Sequence, residues 1–258
     1  MYPYWLEIGS FRLPTFGPMV VLGFLVGHYL IKGELDRRKI DPELATSLVT
    51  AGILGGLAGA KLYFVIFELP DYLTWGETLR SLFSGSGLTF HGGFIVAALA
   101  VVWTIRRRGA PLASTADASS LGLTVGYALG RIGCQLAGDG DYGIPTDLPW
   151  AMAYPNGVVP TLQLVHPAPV YETLIGLAIL ALLWNLRKPL ERLRPGLLFC
   201  VYLICTGVAR FSVETIRLNP EIIFGFTGAQ LFSTAIMMAG VAMGVRLLTS
   251  PAMNEMTR

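Results

Sequence analysis

Charge is what this sequence has least of. Lys, Arg, Asp and Glu make up 14% of its 258 residues, against about 25% in an average soluble domain. With 53% hydrophobic residues and a mean hydropathy of +0.58, that shortage points to a chain that crosses a bilayer several times. Cysteine is scarce as well. Two of the three, Cys200 and Cys205, fall inside one apolar run, which excludes a disulfide framework. Met1 to Arg12 lack a basic segment followed by a short apolar core and a cleavage site, so no removable signal peptide is expected. There is no fixed-period repeat and no low-complexity linker. A single polytopic membrane domain over 1–258 is expected, without a nucleic-acid partner.

What is present is apolar runs. Seven can be drawn, near Phe16–Ile31, Ala45–Phe67, Gly92–Ile105, Leu112–Ile132, Val170–Leu186, Gly196–Val213 and Ala229–Leu248. Each approaches the ~20 residues needed to cross ~30 Å of hydrocarbon. The third is short unless it begins before His91, and the fourth is the least apolar. Basic residues set the orientation. Lys32, Arg37, Arg38 and Lys39 follow the first run, Arg106, Arg107 and Arg108 the third, and Arg187, Lys188, Arg192 and Arg194 the fifth, while Arg246 and Arg258 close the chain. By the positive-inside rule these connections are cytoplasmic. The opposite ones carry only Arg12, Arg80, Arg131 and Arg217 near their ends. The expected fold is all-α, with seven transmembrane helices, the N-terminus outside and the C-terminus cytoplasmic.

Small residues mark close helix contacts. Gly52, Gly55, Gly56 and Gly59 interleave in the second run, and Ala118, Gly122, Gly126 and Gly130 recur every fourth position in the fourth. Such stripes let backbones approach where lipid offers no hydrophobic drive, and the fourth run is expected at the centre of the bundle. The outer connections at 68–90 and 134–169 are expected to form small extracytoplasmic caps. Short strands are expected near Trp150–Tyr154 and Val158–Leu164, and an interfacial amphipathic segment near Leu73–Phe83.

Ionisable groups inside membrane spans are expensive and call for a function. Four sets stand out: His91-Gly92-Gly93 at the start of span three, Arg131 at the outer end of span four, Arg210, Glu214 and Arg217 around the end of span six, and Lys61 with Glu68 in span two. The i, i+4, i+7 spacing of Arg210, Glu214 and Arg217 puts them on one helix face. Counting ~1.5 Å per residue from Gly196 places Arg210 about 21 Å from the cytoplasmic edge, at the level of His91 and Arg131. Buried arginines near the headgroups suit a phosphate, which they grip with forked donors, and a nearby histidine can move a proton near neutral pH. The expected ligand is an anionic phospholipid, and the expected reaction is transfer at its headgroup. No serine or cysteine stands in a nucleophile's setting, so the acceptor brings its own. The segment His166-Pro167-Ala168-Pro169-Val170-Tyr171-Glu172 opens span five, either as a proline-led helix start with Glu172 on the dipole or as part of the substrate site. Asp139-Gly140-Asp141 lacks the calcium-loop pattern, and no metal is expected.

Taken in order, His91-Gly92-Gly93, Gly130-Arg131-Ile132-Gly133, His166-Pro167 with Tyr171-Glu172, and Arg210-Phe211 with Glu214 and Arg217 resemble the motifs of the prolipoprotein diacylglyceryl transferases. The resemblance covers nearly the whole chain. It implies transfer of the diacylglyceryl group of phosphatidylglycerol to the thiol of a lipobox cysteine in a preprotein signal peptide, with release of glycerol phosphate. No cofactor is implied, and the implied location is the bacterial cytoplasmic (inner) membrane. His91, Arg131 and Arg210 match catalytic positions, and Glu214 matches the acid paired with Arg210. Gly92, Gly93, Cys134, Asp139, Asp141, Tyr142, Gly143, His166, Tyr171, Glu172 and Arg217 are the accompanying candidates for binding substrate.

The sequence also departs from that family's pattern. Cys134 stands where the signature has an asparagine, Gly138-Asp139-Gly140-Asp141 replaces Asn-Gly-Glu, and Phe16 before Gly17 replaces a tyrosine. Two alternatives therefore stand beside the transferase: a paralogue with the same donor and another acceptor, and a membrane protein that binds or moves phospholipid without chemistry.

Overall fold

The computed structural model describes residues 1–9, 11–68 and 89–250. Among these residues, seven α-helices carry the fold: α1 (Phe16–Arg37), α2 (Leu44–Tyr63), α3 (Phe90–Arg107), α4 (Leu112–Ala137), α5 (Ala168–Leu193), α6 (Leu197–Glu214) and α7 (Gly228–Thr249). One π-helical turn, Phe64–Glu68, prolongs α2. Each expected span has its helix, and α3 starts before His91, as its length required. All of them except α4 are long and apolar enough to cross a membrane, which makes this a multi-pass, all-α membrane protein. The exception, α4, buries Thr115, Asp117, Ser120 and Thr124 along its length. The segment Leu73–Phe83, expected to lie in the interface, falls outside the described residues.

Helix ends follow local chemistry. Gly109 takes φ +66° after α3, and Ala110 N–H donates back to Ile105 O at 3.1 Å, a left-handed C-terminal cap. At the start of α7, Thr227 Oγ1 accepts from Gln230 N–H while Gln230 Oε1 accepts from Thr227 N–H, a reciprocal capping box. Short antiparallel pairs fill the connections: β1 (Tyr4–Ile8) with β2 (Phe11–Pro14), β3 (Met152–Tyr154) with β4 (Thr161–Val165), and β5 (Glu221–Ile223) with β6 (Phe226–Thr227). The middle pair lies where the sequence suggested strands. The other two carry no alternation strong enough to announce them.

The chain forms two compact units. The first takes Met1–Ile31 together with the described residues from Ala116 on; the second is Lys32–Thr115. In the first, α4 packs on three neighbours. A Cβ on Gly122 would lie 2.6 Å from Ile31 Cγ1 and 2.8 Å from Gly27 O, so α1 crosses α4 backbone to backbone. Ala128 of α4 lies against Gly176 of α5. Gly130, the last member of the expected stripe, faces open space. Leu121, Ile179, Leu183 and Leu198 form the core. In the second unit, α2 and α3 meet at Gly59 and Gly92, where a Cβ on either residue would come within 2.4 Å of the other's carbonyl oxygen. Gly92 and Gly93, carried from the sequence as binding candidates, are thus accounted for by this crossing.

The third neighbour of α4 is α6, held by an aspartate that the sequence reading passed over. Asp117, fully buried, accepts from Gly196 N–H at 2.8 Å and Phe199 N–H at 2.9 Å with its two carboxylate oxygens. The free N–H groups and positive dipole end of α6 are thereby capped from another helix. Asp117→Ala is expected to destabilise the fold by about 3 kcal/mol, the scale of losing charge-assisted bonds and orphaning two buried donors. Asp117→Asn should fall between. Unfolding in detergent measures both, and a neutral Asp117→Ala contradicts the assignment.

Candidate functional site

The site in the first unit is built around one carboxylate. Glu172, one turn into α5 and 2% exposed, accepts from Tyr127 Oη at 2.5 Å. It also pairs with Arg131 Nε at 3.4 Å, Arg210 Nη1 at 3.3 Å and Arg217 Nη1 at 3.4 Å. Elements far apart in sequence therefore converge on it: α4 supplies Tyr127 and Arg131, α6 supplies Arg210, and the segment after α6 supplies Arg217. Of the two roles open for Glu172 from the sequence, these contacts favour the site over a helix cap.

Two further carboxylates complete the ring. Glu214 holds Arg210 Nη2 at 2.8 Å and lies 3.8 Å from Arg217 Nε. Its Oε1 accepts from Asn219 Nδ2 at 2.6 Å and Thr227 Oγ1 at 2.8 Å. Asp141 binds Arg131 through one oxygen and Arg217 through the other. Three guanidiniums thus face three carboxylates, and the cluster is neutral as it stands. The carboxylates are not equivalent: the Asp141 side chain is 30% exposed, against 2% for Glu172 and 0% for Glu214. Burial pushes the Asp141 carboxyl up, but Arg131 and Arg217 outweigh it and hold it below the usual carboxylate range. Asp139 goes the other way, raised by burial and by the charge of Asp141 beside it.

The shared helix face expected for Arg210, Glu214 and Arg217 stops at Glu214. There α6 ends, and Arg217 instead sits in an isolated antiparallel bridge with Gly143. Its N–H donates to Glu214 O at 3.2 Å, and Ile144 N–H donates to Ile216 O beside it at 2.8 Å. Gly143 leaves no room for a side chain, since a Cβ there would stand 2.5 Å from Ile216 O and 2.9 Å from His166 Cβ. Its N–H donates to His166 O at 2.8 Å.

The remaining candidates separate. His166 Nδ1 meets Tyr171 Oη at 3.3 Å, and Tyr171 Oη accepts from Trp150 Nε1 at 2.7 Å. Tyr142 stacks on Tyr154, with centroids 4.9 Å apart, and donates to Val159 O at 3.3 Å. Tyr154, pushed up to about 12 by burial, donates to Gln135 Oε1 at 2.9 Å. Cys134 is buried, its Sγ 3.9 Å from Arg131 Nη1. Together with Asp139 and Asp141 it offers ligand atoms within 4.8 Å of one another, but both Asp141 oxygens are already taken by arginines. His91 belongs to the second unit, in the first turn of α3, exposed and edge-on to Phe90 at 5.8 Å. Lys61 lies on α2 in that unit as well. Sequence reasoning missed Tyr127, which sits four residues before Arg131 on one helix face. It also missed Trp150, Asn219 and Thr227, which no local spacing announces.

Forked guanidinium donors of this kind pair with carboxylate and phosphate oxygens alike. Residues 3–246 match the family model described as prolipoprotein diacylglyceryl transferase. The chain belongs to the prolipoprotein diacylglyceryl transferase family. It is 32% identical over 248 residues to the phosphatidylglycerol–prolipoprotein diacylglyceryl transferase of Gloeobacter violaceus, covering 94% of this chain and 90% of that one. The protein of the same name from Leptospira interrogans is 33% identical over 234 residues, covering 81% and 72%. That from Thermotoga maritima is 28% identical over 243 residues, covering 92% and 82%.

The depressed Asp141 carboxyl has a signed consequence. A group whose folded value lies below its unfolded one stabilises the fold above the unfolded value, ~3.9 for an aspartate, and loses that contribution as pH falls through the folded value. Wild-type protein should therefore exceed Asp141→Asn in thermal midpoint by a constant margin from neutral pH down to about 4, and the margin should close in stronger acid. A margin that is flat through acid would contradict the ion pairing.

Proposed function

We propose that this protein transfers the diacylglyceryl group of phosphatidylglycerol to the cysteine thiol of a prolipoprotein lipobox. What supports this most is the arginine cluster: Arg131, Arg210 and Arg217 share Glu172, and two of them close on the half-open Asp141. The phosphate of the donor takes the place of Asp141 between Arg131 and Arg217, because that carboxylate alone of the three has a route to solvent. Glu172 and Glu214, buried and multiply bonded, stay and hold the guanidiniums in position. The acceptor sulfur attacks the carbon of the diacylglyceryl group that is bonded to the phosphate oxygen. A C–S bond forms, the C–O bond breaks, and glycerol phosphate leaves with the electron pair, its charge met by the arginines. The thiol proton passes to a base, a role for which the sequence pattern offers His91. Arg131, Arg210 and His91 are the catalytic residues in this scheme. Gly143 keeps Arg217 in place, and Cys134, Asp139, Tyr142, His166 and Tyr171 border the substrate.

The topology that goes with it has seven spans in one polytopic domain. Its N-terminus is outside and its C-terminus inside the bacterial cytoplasmic (inner) membrane, and 68–90 and 134–169 are the extracytoplasmic connections. The grouping of basic residues in alternate connections supports that orientation. Burial supports α4 as a span despite its polar residues, since Thr115, Asp117, Ser120 and Thr124 are all buried.

Purified protein, phosphatidylglycerol and a lipobox peptide should yield a thioether-linked diacylglyceryl mass. Arg131→Ala and Arg210→Ala should each lower the rate by roughly 10²–10³, the scale of removing one oxyanion donor. Well-folded protein that gives no product on the peptide, yet releases the headgroup of labelled lipid when cell extract is added, would mark a different acceptor. The changed residues at Cys134 and Asp139 favour checking that arm. Lipid binding weakened by the same substitutions, with no product from any acceptor, would mark a binding protein.

A further inference from the structure

The second unit holds a groove of its own, away from every residue of the arginine cluster in sequence. At the end of α2 and α3 that bears the basic run, a cavity of about 530 Å³ opens between the two helices. Its lining is graded. Along α2 the lining runs Ser47, Thr50 and Leu54, and back along α3 it runs Arg108, Arg107, Thr104 and Trp103. Arg108 Nη2 donates to Ser47 Oγ at 3.0 Å, and the Arg107 guanidinium lies 4.9 Å over the Trp103 ring. Among the described residues, no carboxylate lines the groove. Glu43, one turn before Ser47, is taken by Lys32 at 2.7 Å. Trp103 and Leu54 are 59% and 63% exposed, leaving apolar surface uncovered within the groove.

We propose that this groove holds one anionic phospholipid of the surrounding leaflet, apart from any substrate. The charge is complementary, with two guanidiniums and a hydroxyl for a phosphate and no acid to oppose it. The dimensions agree as well. From Ser47 to Leu54 the helix rises about 10 Å, which carries a lipid from its phosphate past its ester groups to the first acyl carbons. Trp103 marks the interfacial level, where its ring has both an apolar and a polar side. A free phosphate would use the arginines but not the apolar floor. The occupant is therefore a lipid, and it lies in the leaflet on the side of Arg106–Arg108, the cytoplasmic one in the proposed topology. The inference does not depend on the transferase chemistry.

The test uses the full chain in phosphatidylcholine nanodiscs doped with an equal small fraction of brominated phosphatidylserine or brominated phosphatidylcholine. Trp103 is read as the difference between wild type and Trp103→Phe. Phosphatidylserine should quench Trp103 at least about twofold more than phosphatidylcholine does. The preference should vanish in R107Q/R108Q and survive added inorganic phosphate. Should Trp103→Phe fail to fold, native mass spectrometry replaces it, with R107Q/R108Q expected to retain one phosphatidylserine fewer than wild type. Equal quenching by the two lipids, a preference unchanged in R107Q/R108Q, an equal count of retained lipid, or loss of the preference to phosphate alone would each overturn the site.

Discussion

One buried carboxylate sets the terms for the rest of the first unit. Glu172 has no water to solvate it, so it must be met by donors, and it gathers Arg131, Arg210, Arg217 and Tyr127. The guanidiniums in turn repel one another unless Glu172 stays between them. Removing one partner of such a buried set leaves a charge uncompensated, on the order of 3–5 kcal/mol. The helices have to deliver these side chains to one point, and much of the surrounding structure serves that delivery. Gly122 and Gly27 bring α1 against α4. Asp117 fixes the start of α6 from α4, and Gly143 bridges to Arg217.

The cluster is balanced but unequally closed. Glu214 is held from both sides of the end of α6, by Asn219 and by Thr227, and Glu172 is locked by four side chains. Asp141 hangs from a loop and keeps contact with solvent. That asymmetry separates two buried carboxylates that organise the arginines from one that keeps contact with solvent, the one displaced in the proposed scheme.

Much of this was legible in the sequence, and for identifiable reasons. Apolar runs show helices directly, and each of the seven drawn has its helix because length and composition suffice for that. Arg131, Arg210 and Glu214 stood out because charge within an apolar run has no structural excuse. The limits are equally specific. Helical spacing carried past Glu214 kept Arg217 on α6, which ends there and gives way to the bridge with Gly143, although the Arg217 side chain still meets Glu172 and Glu214. Asp117 was passed over as one more polar residue near a span end, since its partners, Gly196 and Phe199, lie some eighty residues away. Gly92 and Gly93 were read with His91 as a motif, while the nearest atoms across from Gly92 belong to Gly59 and Tyr63.

The central claim is that Arg131 and Arg217 form a phosphate seat which Asp141 occupies at rest. Binding of glycerol phosphate, which shares the headgroup but has no acyl chains, tests it without help from the bilayer. Titrated into purified wild-type protein and Asp141→Asn, it should bind the variant more tightly, by about tenfold if one close like charge is removed from a half-buried site. Equal or weaker binding to Asp141→Asn would contradict the account.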